Sequence, residues 1–130
     1  MKRLLITIFL LLTVPSTSFA EWTLVTSSNE YKFYIDFETI KTRGEYSYHW
    51  ELSNKVNPTV EEIQNPQIYL SNFRYVKVNC SLSAFMYMQM TRFKYHDGKG
   101  KSRAIQPDSA WRYAIPGTIG ESLINVVCNH

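Results

Sequence analysis

Cysteine is nearly absent from this chain, and the shortage is informative. There are two in 130 residues, Cys80 and Cys128, with no Cys-x-x-Cys, which speaks against a thiol redox or metal site. Histidine is as sparse: His49, His96 and His130 are scattered, without the His-Glu-x-x-His spacing of a zinc hydrolase. No Gly-x-Ser-x-Gly elbow and no glycine-rich phosphate loop occurs. Asp36 and Glu38 are neighbouring carboxylates in a turn, with no partner at a predictable distance, so glycosidase chemistry has no support. No repeat, low-complexity tract or long linker divides the chain, and these absences together argue for a non-enzyme without a cofactor.

Charge of one sign is also lacking. Without Lys2 and Arg3 the chain has 12 basic and 11 acidic side chains, weak grounds for a nucleic-acid partner. The distribution is uneven, however. Glu21 to Leu70 carries 8 acidic and 4 basic residues, whereas Ser71 to His130 carries 3 and 8, so one negative and one positive region are expected.

The single long apolar run lies at the start. Lys2 and Arg3 precede Leu4 to Val14, Pro15 breaks the run, and Ser18-Phe19-Ala20 offers the small residues that a signal peptidase reads. Eleven helical residues reach roughly 16 Å, half of a ~30 Å bilayer core. Residues 1–20 thus read as an export signal cleaved after Ala20, and no cysteine follows the run as a lipoprotein signal requires. The mature chain, 21–130, suits one domain and no transmembrane segment. In an exported protein the even cysteine pair reads as a disulfide. Closing that loop of about 49 residues contributes about 4 kcal/mol by the chain-entropy estimate.

Most of the mature chain alternates with period two, the mark of strands. Expected strands are Trp22 to Ser27, Tyr31 to Asp36, Glu45 to Ser53, Phe73 to Cys80, Ala84 to Tyr95 and Lys101 to Gln106. The last two form a hairpin about Asp97-Gly98-Lys99-Gly100. Asn57-Pro58 and Asn65-Pro66 bracket a polar loop. After Pro116-Gly117 the period changes. Thr118 and Glu121 form a capping box, and Ile119, Leu123, Ile124 and Val127 follow at helical spacing up to Cys128. Val76, Val78 and Cys80 share a strand face, so a Cys80–Cys128 bond would staple the helix to the sheet. The fold class is α+β: an antiparallel sheet of about six strands with a C-terminal helix packed on one face and tied to it by the disulfide.

These residues resemble the surface-adhesin protein E family of bacterial exported proteins. The marks are Trp22, Tyr34-Ile35-Asp36 followed by Ile40, Val78-Asn79-Cys80, Trp111 before Pro116-Gly117-Thr118, and the terminal helix ending at Cys128. The resemblance implies a strongly bent antiparallel sheet with the helix disulfide-tied to its concave side. It also implies a binding function toward host matrix proteins. The segment Asn65-Pro66-Gln67-Ile68-Tyr69 offers no basic binding pair, and the lipid-bearing cysteine is missing.

Three constellations remain. Arg92, Lys94, Lys99, Lys101 and Arg103 surround one hairpin turn and form the best candidate partner site. Such a patch would meet polyanions, lipopolysaccharide or the acidic loops of a protein. The plainer reading is that these cations guard a sheet edge. Met86, Met88 and Met90 alternate on one expected face, with His96 in the same parity, and three thioethers would suit Cu(I). Padding of the core under the helix is the plainer account, with Phe85 and Tyr87 on the opposite face. Tyr46, Tyr48 and Trp50 form a stripe expected to face the core, which leaves His49, on the polar face, in solvent. The function expected from all this is an exported binding protein for host matrix or envelope components. A periplasmic structural or envelope-maintenance factor is the alternative, Cu(I) binding a further one, and a homo-oligomer stays open.

Overall fold

The computed structural model describes residues 20–130, so all of the expected export signal but Ala20 lies outside the described residues. The chain forms β1 (Trp22–Ser27), β2 (Tyr31–Asp36), β3 (Lys41–Arg43), β4 (Tyr46–Lys55), α1 (Val60–Gln64), β5 (Ser71–Asn79), β6 (Ala84–Tyr95), β7 (Lys99–Ile105), β8 (Arg112–Tyr113) and α2 (Ile119–Cys128). All strand pairs are antiparallel, in the order β1-β2-β4-β5-β6-β7. The short β3 pairs with the start of β4, and β8 with the start of β6. The expected sheet and helix are therefore both present. Because the strand order follows the chain, the strands of the acidic first half lie toward one edge of the sheet and those of the basic second half toward the other.

Helix α2 packs on one sheet face. Leu123, Ile124 and Val127 close over Ile35, Val76 and Val78, with Phe33, Phe85 and Tyr87 at the margins. Cys80 and Cys128 bond to each other with Cα atoms 5.8 Å apart, tying the last residue of α2 to the end of β5. Thr118 caps the helix by accepting from the Glu121 amide at 3.4 Å. The reciprocal half of the expected capping box differs: the Glu121 carboxylate accepts from the Gly117 amide at 3.4 Å, one residue earlier. A complete capping box stands elsewhere. Thr59 and Glu62 satisfy each other's backbone donors at the start of α1, inside the segment expected to be a polar loop.

The opposite, open face carries a smaller apolar cluster. Leu52 is buried there, paired with Tyr34 and Phe73, and the Phe73 ring lies 4.7 Å from Phe93 and 5.2 Å from Trp22. The turn after β6 seals the cluster. Gly98 has φ +70, and a Cβ there would lie 2.2 Å from the Phe73 ring, so both its backbone and its lack of a side chain are required. Asn54 and Asp97 lock this turn with reciprocal bonds of 2.8 and 2.9 Å. His96 Nε2 donates to the Lys55 carbonyl at 2.7 Å, which ties it away from the methionines.

Candidate binding faces

The two faces of β4 are inverted relative to the expectation from alternation. Ser47, His49, Glu51 and Ser53 are buried beneath or beside α2, while Tyr46, Tyr48 and Trp50 are half-exposed on the open face. The aromatic stripe is thus not the core, and His49 is not solvated: it is 1 % exposed. The cause is tertiary. β5 presents Val76 and Val78 to the helix, and the register pairs them with His49 and Ser47. Whatever β4 carries at those positions is covered.

The buried polar side chains pair in part, with His49 Nδ1 and Arg74 Nε left without a partner among the described residues. His49 Nε2 lies 3.3 Å from Glu51 Oε2, and Arg74 reaches the other carboxylate oxygen at 3.7 Å. The guanidinium carbon of Arg74 also lies 5.3 Å from the centre of the Tyr87 ring. Burial raises the Tyr87 pKa above 10.0, and the Glu51 carboxylate raises it further, against smaller opposing effects of Arg74 and Arg112. These groups border a cavity of about 20 Å³, closed by Val76, Val78, Phe85, Gly120, Leu123 and Ile124. That volume suits one water molecule, not a substrate. Asp36 is likewise structural: its carboxylate accepts from the Glu38 amide at 3.1 Å.

The open face carries a half-exposed aromatic band. Tyr75 lies 5.0 Å from Trp50 and 6.0 Å from Tyr48. Beyond them Tyr46 stacks on Trp111 at 5.7 Å, and the Lys77 ammonium sits 4.1 Å over the Tyr46 ring. Glu38, Thr39 and Lys41 flank Trp50 and Tyr75 along a shallow groove. Trp111, Tyr113 and Ile115 extend the exposed hydrophobic surface. Period two was the signal for this stripe, but its orientation needed the position of the helix.

The expected basic patch divides. Lys99, Lys101 and Arg103 are exposed on β7, at the sheet edge. Lys94, in contrast, donates to the carbonyls of Asn65 and Ile68 at 2.7 and 2.9 Å and holds the loop after α1. Arg92 stands directly opposite Arg103 on the helix-side face. The methionine stripe divides as well. A bulge between Tyr75 and Val76 gives β6 an extra residue at Met88. Met86 then pairs with Lys77 and Met90 with Arg74, on opposite faces, while Phe85 and Tyr87 are the residues under the helix. Three thioethers on one face are therefore not available at these positions.

A disulfide-closed antiparallel sheet with one docked helix, an open aromatic face and a basic edge defines a surface-presenting sheet module. The family model for surface-adhesin protein E matches residues 22–129, and the chain belongs to that family. Solved structures of the same architecture include Haemophilus influenzae protein E. In crystal form II it is 17 % identical with a TM-score of 0.65, over 88 % of this chain and 92 % of that one. A second structure, of protein E from non-typeable Haemophilus influenzae, has a TM-score of 0.57 at 16 % identity, over 88 % and 80 % of the two chains. A search of curated proteins finds no match. The family indicates a surface adhesin, and among the described residues no helix is long and apolar enough to cross a membrane.

Proposed function

We propose that residues 21–130 form the mature protein, one exported and non-enzymatic domain that binds a protein partner, either a host matrix protein or an envelope component. The observation that carries this reading is the open-face band of Tyr46, Tyr48, Trp50, Tyr75 and Trp111 with Lys77 laid on it. Half-exposed aromatics beside a cation supply rigid contact area at low entropic cost, as binding surfaces do. Lys99, Lys101 and Arg103 at the edge add attraction toward acidic partners.

The test is binding of the mature protein to immobilised matrix proteins, with Tyr48→Ala/Trp50→Ala and a Lys99, Lys101 and Arg103 triple alanine in parallel. Loss in the aromatic variant and slower association in the basic one are expected. Equal binding by both removes these surfaces from the account. Protease treatment of intact cells separates the locations: cleavage places the chain at the surface, and protection favours a periplasmic envelope role.

A further inference from the structure

A cleft of about 310 Å³ opens on the helix-side face, at the start of β5 and away from the aromatic band. Its walls are Tyr31, Gln67, Tyr69, Asn72, Arg74 and Arg92. The volume lies at the lower end of small-molecule sites. Two features of its charge call for an anion. Arg74 is matched, among the described residues, only by Glu51 at 3.7 Å, which is beyond hydrogen-bond length. Arg92 faces Arg103 directly across the β6–β7 pair, and among the described residues no carboxylate lies within ion-pair distance of either. Like charges directly opposite each other destabilise a strand pair. An oxyanion between Arg74 and Arg92 would relieve that repulsion.

We propose that this cleft binds a sulfate or phosphate group carried on a saccharide. Two guanidinium forks match a tetrahedral oxyanion in charge and geometry. The Gln67 amide offers a partner for a sugar hydroxyl, and the Tyr31 and Tyr69 rings provide flat walls for a sugar ring. The site is distinct from the open-face surface and stands or falls independently of it.

The experiment titrates the isotopically labelled mature protein with inorganic sulfate, then with a sulfated disaccharide, following side-chain N–H signals by NMR. Saturable shifts at Arg74, Arg92 and Gln67 are expected, with the disaccharide binding at least tenfold more tightly than the free ion. Arg92→Gln should weaken both at least tenfold at unchanged circular dichroism, and Arg92→Lys should recover only part. Shifts confined to Lys99 and Lys101, or an Arg92→Gln variant that binds as wild type, overturn the proposal. So does retention on phosphatidylglycerol vesicles without disaccharide binding, which assigns the cleft to a lipid headgroup.

Discussion

The two faces of the sheet solve opposite problems with residues that look misassigned. The face under α2 receives Ser47, His49, Glu51 and Arg74 from the strands, yet it is the better covered. The open face receives Tyr48, Trp50 and Tyr75, yet leaves them half in water. The helix supplies much of the apolar area on its side through Leu123, Ile124 and Val127, so strand residues there can be small or polar if their polar atoms pair. On the open side nothing covers the strands, and large rings shield one another. Burial thus follows the position of the helix and not the polarity of the strand.

The comparison breaks most decisively if the helix is released. Replacing Cys80 and Cys128 with serine should cost about 4 kcal/mol in denaturant unfolding, an effect that reduction of the wild type should reproduce. A loss below about 1 kcal/mol would mean that α2 packing alone holds the face closed. Next in size, Leu123→Ala should cost about 3 kcal/mol as a core truncation, while Tyr48→Ala on the open face should cost about 1 kcal/mol. Equal costs would erase the distinction between the faces.

A smaller effect sharpens the comparison by pH. The Tyr87 pKa is raised in the folded state by burial and by the Glu51 carboxylate, so the folded protein holds this proton more tightly than the unfolded chain. That contribution is fully present below pH 10.0 and is lost as pH rises through the folded value. Wild type should therefore lose more stability than Tyr87→Phe between about pH 9 and 11 in parallel melts. Identical alkaline slopes would count against the buried setting of this hydroxyl. Smallest of all, Lys77→Ala should change stability by about 0.5 kcal/mol, the worth of an exposed cation–π contact, while lowering partner binding.

Much of the architecture was legible in the chain. The strand bounds Trp22–Ser27, Tyr31–Asp36 and Ala84–Tyr95 match the expected ones to the residue, and Ile119–Cys128 follows helical spacing. The misses have local causes. β3 and β8 are three and two residues long, too short for any period to declare itself. α1 lies in a segment whose composition reads as a polar loop, although Thr59-Val60-Glu61-Glu62 carries the same capping signal that marks α2. The methionine stripe failed because one bulged residue reverses the parity of everything beyond it.

Spacing, the cysteine pair and the turn residues determined the strands, the terminal helix and the covalent tie between them, because each is a local property of backbone and side chain. Which side of β4 is core was decided only in three dimensions. Alternation says that a strand has two unlike faces, but a helix more than sixty residues later chooses between them by docking on Val76 and Val78 of the neighbouring strand. The same docking buries the His49–Glu51 pair. The register of β5, β6 and β7 brings Arg74, Arg92 and Arg103 onto one face, which no single segment of the chain specifies.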